Sequence, residues 1–327
     1  MQGLFNSLEI DSISLRNRIV LPPMASENSN EDGFPTKELY EHYRELSEGP
    51  GLVIVEHSYV DPRGRLSENQ LGVYSDKHVD PLAELAEMIK ENGAVPAIQI
   101  NHAGGQCDKD ITGEKPVTPS EAYFDETESL SVEQMEKIKQ DFVEGARRAA
   151  KAGFDAVEIH GAHGFLLGQF LSPITNQRDD EYGGKELEDR MRFPLEIVKE
   201  VREAVEDTVL FYRLGATDMK DGGLTVEESK QFAKKLVEDG IEVIDVSGNL
   251  CGSRPDGLEV EQGYFVPIAE KIKGVVDVPV IGVGGIKDAS FADQFVKEGK
   301  VDLVAVGREQ WKDPDWASKA KEELKED

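Results

Sequence analysis

Cysteine is nearly absent. The chain of 327 residues has two, Cys107 and Cys251, far apart in sequence. That excludes a disulfide framework and a thiolate metal cluster. Basic residues are scarce beside acidic ones, 37 against 65, for a formal net charge of −28. A surface of that sign argues against nucleic-acid backbones and anionic membranes as partners. No apolar run approaches the length of a membrane span, and no basic-plus-apolar leader precedes the first element, so a cytoplasmic protein is expected. No H-E-x-x-H zinc pattern occurs, no G-x-G-x-x-G follows the first predicted strand, and no linker or low-complexity tract divides the chain. Residues 1–327 therefore read as one domain. The acid is spread through helix-like stretches such as "LAELAEMIKE" and "AKEELKED". It forms a solvated outer face or, more sharply, an adaptation to a high-salt cytosol in which self-repulsion is screened.

What is present is a regular alternation. Eight short apolar runs are predicted as strands, at 18–23, 52–57, 95–101, 155–161, 210–215, 242–248, 279–285 and 302–308. Most carry consecutive β-branched or large apolar residues, as parallel strands buried on both faces do. Helical patterns lie between them. "HVDPLAELAEMIKENG" places apolar residues at 79, 82, 85, 86 and 89 before a stop at Gly93. Ser131 with Gln134 has capping-box spacing, and Thr225 is a predicted N-cap. Eight β/α units indicate an α/β fold, a (β/α)8 TIM barrel, in preference to a doubly wound open sheet. The alternating opening "LFNSLEIDSISLRNR" is predicted as a short hairpin over the barrel's base.

Chemistry in such barrels sits at the carboxyl ends of the strands. There the sequence places Pro22, Pro23 and Met24, then Glu56 and His57, Gln99 and His102, His160 and His163, Arg213, and Ser247, Gly248 and Asn249. The seventh and eighth strands end in "GVGGIKD" and "VGREQW". Gly284 and Gly285 before a helix near Asp288, with Gly307 and Arg308, suit phosphate binding by backbone N–H groups beside a cation. Arg213 within a strand needs an anion or an internal partner, for which Glu56 or Asp245 would serve. Gln99 needs several hydrogen-bond partners. Together they suggest a planar, polar ligand carrying a phosphate. His160 and His163 rank first as donors to an oxygen that gains charge during reaction, second as structural residues and third as metal ligands.

"HGAHGFLLGQFLSPITNQRDDEYGG" (160–184) resembles the signature of the Old Yellow Enzyme family of FMN-dependent ene-reductases. "RNRIVLPPM", "GLVIVEHSYVDPRGRLSENQLGVY", "AIQINHAGGQ", "FYRLGATDMKDGGLT", "IGVGGI" and "LVAVGREQWKDPDW" follow in the family's order. The chain is most similar to the bacterial single-domain branch and to the flavin domain of 2,4-dienoyl-CoA reductases. The resemblance implies FMN as cofactor and NADH or NADPH as reductant. Backbone at Pro23, Met24 and Ala25 would lie near the flavin N5 edge, with Pro22 also in the cofactor set. His57 would stand near the ring, Gln99 at the pyrimidine edge and Arg213 by N1, with Gly248 also in the cofactor set. Gly284, Gly285, Gly307 and Arg308 would hold the phosphate. His160 and His163 would clamp the substrate carbonyl, polarising an activated alkene in enones and enals.

The chain departs from that pattern at several places. Most relatives carry tyrosine at the Phe165 position, whose hydroxyl protonates the substrate α-carbon. The branch usually has cysteine where Ala25 stands and a second active-site tyrosine where Glu27 stands. Its tail also gives an arginine to a neighbouring subunit, absent from "AKEELKED", so a homo-oligomer is left open. Cys251, Tyr264 and Glu27 are the candidate replacement proton donors, Cys251 equally a small buried hydrophobe. Two other readings stand beside ene reduction. One is a flavin reductase for quinones, nitro compounds or dienoyl thioesters. The other is a non-catalytic FMN- or phosphosugar-binding barrel.

Overall fold

The computed structural model describes residues 3–258 and 261–326, so the first two residues and the last, Asp327, of the single domain read from the sequence lie outside the described residues. Eight parallel strands close into a barrel in chain order. They are β1 (Ile19–Leu21), β2 (Leu52–Tyr59), β3 (Val95–Asn101), β4 (Ala156–Gly161), β5 (Val209–Gly215), β6 (Val243–Ser247), β7 (Val280–Gly282) and β8 (Leu303–Ala305). The TIM barrel expected from the alternation is therefore the fold. Three strands are shorter by three or more residues than the apolar runs suggested. β1 stops where Pro22 and Pro23 remove two ladder donors. β7 stops before Gly284 and Gly285, whose φ of 127° and 62° turn the chain away from the sheet. β8 stops two residues before Gly307.

The helices follow from their stripes and caps. In Val79–Glu91 the buried residues include Val79, Leu82, Leu85, Ala86 and Ile89, the five predicted apolar positions. Both Ser131–Gln134 and Thr225–Glu228 form reciprocal capping boxes. Each side-chain cap is worth about 1 kcal/mol to its helix.

Inward-facing residues stack in layers up the barrel axis, as the two-residue strand period requires. The lowest layers are apolar. Leu52, Ile54, Ala97, Ala156, Phe211, Val243, Ile281 and Leu303 pack with Ile10, Ile13 and Leu15. Those last three come from the antiparallel hairpin Leu8–Ile10/Ile13–Leu15, which closes the amino end of the barrel. One step further along the strands the layer turns polar, with Gln99, Glu158, Arg213 and Asp245, all buried. His160 and Ser247 come next, towards the carboxyl ends.

One irregularity re-aims a side chain. Val55 pairs with Ile98, but the next partners are Ser58 and Ile100, so Glu56 and His57 together face Gln99 alone. This is a β-bulge, which bends its strand and turns residues off the alternation. Glu56 goes outward, taking hydrogen bonds from Tyr43 Oη at 3.2 Å and Ser26 N–H at 3.2 Å. His57 goes inward.

Candidate active site

At the carboxyl ends lies a cavity of about 510 Å³, within the range of cofactor sites. Of the residues singled out in the sequence, Pro22, Pro23, Met24, Ala25, His57, Gln99, His160, His163, Phe165, Arg213, Tyr264, Gly285, Gly307 and Arg308 all line it. Arg254, Lys287, Val283, Ile286, Ala305 and Glu309 line it too and were not anticipated. Only their place after a strand end or in the loop following β6 could have marked them.

Four expected residues stand apart from the cavity wall. The Cys251 thiol points at the carbonyl of Thr217, 3.3 Å away, and burial raises its pKa to about 11. That places it as a packed side chain of the loop after β6. The Glu27 carboxylate is exposed and accepts from the Ser67 hydroxyl at 2.7 and 2.8 Å. Gly248 lies behind the site, where its carbonyl takes the His163 N–H at 3.0 Å. Gly284 supports the cradle from behind: a Cβ there would meet the backbone nitrogens of Tyr264 and Phe265 at 2.7 and 2.9 Å. His102, also at a strand end, is buried under Gly64 outside the cavity.

One end of the cavity is built for an anion. The backbone N–H groups of Gly285, Ile286, Gly307 and Arg308 donate to no other part of the described chain. The Arg308 guanidinium lies beside Gly285, 3.4 Å from where a Cβ would be. Backbone N–H groups converging next to a fixed cation are a phosphate cradle. The following helix, Ala289–Lys297, contributes less than its position suggests. The N–H groups of Lys287 and Asp288 are already taken by Gln262 Oε1 at 2.7 and 2.9 Å.

The other end is the polar layer. Gln99 Nε2 donates to Glu158 Oε1 at 2.7 Å, while Glu158 Oε2 has no partner. Arg213 Nε sits 3.1 Å from Asp245 Oδ2, an ion pair whose angle is too poor for a hydrogen bond. Asp245 thus offsets part of the cost of burying the guanidinium without tying it down. Two carboxyls share one cation, so burial and the neighbouring Asp245 push Glu158 up to about 8. Burial raises Asp245 as well, with Arg213 opposing it, so the two carboxyls are favoured to hold one proton between them.

Between the two ends stand the histidines. His160 and His163 meet edge to face with ring centroids 5.1 Å apart, and Phe165 packs on His160 at 4.8 Å. His163 is presented by a left-handed residue, φ 57°, followed by Gly164 at 70°. Its Nε2 is held by Ser247 Oγ at 2.8 Å. His160 Nδ1 is buried and without a partner. Burial holds both pKa values well below the usual range, so both rings are neutral. Among the described residues no group of three or more His, Cys, Asp or Glu is arranged to hold a metal.

The residues present fit FMN. The free amides and Arg308 suit its phosphate. Gln99 and Arg213 would offer polar contacts to a flat ring, and Val283, Ala305 and Pro22 add apolar lining that suits its faces. A barrel with this site defines a flavin-dependent oxidoreductase. The chain belongs to the NADH:flavin oxidoreductase / NADH oxidase family, which it matches over residues 3–327. The resemblance to the Old Yellow Enzymes stands, and the cofactor is FMN with NADH or NADPH as reductant.

Among relatives, an NADH oxidase of Thermoanaerobacter brockii is 45% identical over 98% of this chain, but the chain spans about half of it (51%). An NADPH dehydrogenase of Bacillus subtilis (strain 168) is 41% identical over 98% of this chain and 95% of its own length. Among solved structures, 2-naphthoyl-CoA reductase with 2-naphthoyl-CoA superposes with a TM-score of 0.92 at 25% identity, over 98% of this chain and 52% of that one. Morphinone reductase superposes with a TM-score of 0.85 at 26% identity, over 98% and 90%. Among the described residues no helix is long and apolar enough to cross a membrane.

Proposed function

We propose that this chain, as one flavin-binding unit over residues 1–327, reduces activated C=C bonds such as those of enones and enals. The observation that carries this reading is the His160–His163 pair, neutral and edge to face at the centre of the cavity. Neutral imidazoles each bring one N–H. Two such donors converging on a carbonyl oxygen withdraw electrons from a conjugated alkene and stabilise the negative charge that gathers on that oxygen. When bound, FMN supplies the two-electron chemistry, taking a hydride from the nicotinamide and passing it to the β-carbon.

The chain's residues do the rest. Ser247 and the left-handed backbone at residue 163 fix the direction of the His163 ring. The free amides of Gly285, Ile286, Gly307 and Arg308, with the Arg308 guanidinium, would hold the phosphate. Gln99 and Arg213 would offer hydrogen bonds and charge to the polar atoms of the ring. Phe165 shields the cavity wall and offers no proton.

Phe165 also favours a second reading, in which the physiological acceptor needs no α-proton from that position, as with quinones, nitro compounds or dienoyl thioesters. One anaerobic experiment separates the readings. The holoprotein is reduced with NADH or NADPH, cyclohex-2-enone is added, and the flavin band and product are followed. Rapid reoxidation with cyclohexanone supports ene reduction. A flavin that bleaches but stays reduced supports the second reading, and one that never bleaches supports a non-catalytic barrel.

A further inference from the structure

His57 is the least explained side chain of the cavity. The β-bulge at Glu56 and His57 brings it inward, where it packs against Phe165 with ring centroids 5.7 Å apart. Its environment decides which ring nitrogen carries the proton. Gln70 Oε1 accepts the N–H of Leu66 at 2.7 Å, which fixes the amide's orientation. Gln70 Nε2 is therefore the group 2.7 Å from His57 Nδ1, and it also reaches the His57 carbonyl at 2.7 Å and Asn101 Oδ1 at 3.1 Å. An amide nitrogen is a donor only. Nδ1 must accept, so a neutral His57 carries its proton on Nε2. Burial, with Arg213 nearby, lowers the pKa to about 4, so the ring is neutral near pH 7. The ring's hydrogen-bond contact is the one at Nδ1, and Nε2 makes none to the described chain.

We propose that His57 is a specificity-determining residue whose fixed Nε2–H binds a second acceptor oxygen of the substrate, distinct from the oxygen held by His160 and His163. The inference rests on the reading of this cavity as an ene-reductase site and deepens it. The favoured substrates are conjugated rings or chains with an acceptor at each end, such as ene-diones, over simple enones. His57 is not a proton donor here. Giving up Nε2–H would leave an imidazolate, and Gln70 disfavours the imidazolium by donating to Nδ1.

The test uses a matched pair, cyclohex-2-ene-1,4-dione and cyclohex-2-enone, on FMN-loaded protein. His57→Phe is expected to raise KM for the dione about tenfold more than KM for the enone, the size of one lost hydrogen bond. Gln70→Leu, which releases the ring without removing it, is expected to do the same by a smaller factor. Long-range 1H–15N spectra of histidine-labelled holoprotein give a readout independent of turnover. They should show His57 as the neutral Nε2–H tautomer, with Nε2 shifting on addition of cyclohexane-1,4-dione and not of cyclohexanone. An Nδ1–H tautomer, or equal responses to the one-oxygen and two-oxygen compounds, overturns the inference. If the parent protein reduces neither alkene, the ene-reductase reading fails, and the spectra alone decide for or against His57.

Discussion

Gln99 and Glu158 are register partners on neighbouring parallel strands, and their 2.7 Å hydrogen bond couples the polar edge of the cavity to a carboxyl fully buried beneath it. Glu158 is held up to about 8, first by burial and then by Asp245, against an ordinary 4.5. A folded-state pKa raised above the unfolded one contributes stability in full below the unfolded value. That contribution is lost as pH rises through the folded one. Glu158→Gln, which keeps the shape of the protonated form, should therefore gain stability relative to the parent as pH rises from about 5 to about 9, by on the order of a few kcal/mol. Thermal melts of both proteins across that range check it, and parallel curves would refute it.

Arg308→Ala should weaken FMN binding by about tenfold or more, the scale of a charge-assisted contact. Riboflavin, which has no phosphate, should bind both proteins alike. Fluorescence titrations of the apoproteins with the two flavins make the comparison.

Phe165→Tyr places a hydroxyl beside His160. If α-carbon protonation limits enone turnover, the variant should reoxidise faster with cyclohex-2-enone, by about tenfold to a hundredfold, towards the range of a positioned general acid. The rate with a quinone should change little. Stopped-flow reoxidation of the reduced flavin reads both.

His163→Ala should slow the enone half-reaction by about a hundredfold or more, as loss of one donor to a developing oxyanion does. Ser247→Ala leaves the imidazole in place and removes only the contact to its Nε2, so its effect should be smaller. The two rate constants, measured on pre-reduced protein, rank the residues.

With a net charge of −28, self-repulsion should be relieved by screening. The melting temperature is expected to rise with KCl from low to molar concentration. A flat or falling curve would remove the case for a high-salt cytosol.

Much of this was readable from the sequence because period and punctuation are local. Apolar runs marked all eight strands, and Ser131–Gln134 and Thr225–Glu228 marked two helix starts. The cavity residues were legible because strand ends converge in a barrel whatever lies between them. Three things were hidden. Cys251 looked available until the loop turned its thiol onto the Thr217 carbonyl. Glu158 was one polar residue inside the predicted strand 155–161 until the layers placed it beside Gln99. The inward turn of His57 depends on a bulge, and no alternation in "VEHSYV" announces one. Such facts belong to pairing between strands, which a single chain read in order does not display.

The hairpin that caps the amino end of the barrel also has a kinetic consequence. With Ile10, Ile13 and Leu15 stopping that end, the cavity has its mouth on the opposite face alone. On the proposed reading, reductant and acceptor would both have to enter by that one mouth, and each would exclude the other. A large excess of enone should then suppress the overall rate by blocking the nicotinamide, and a large excess of nicotinamide should suppress it by blocking the enone.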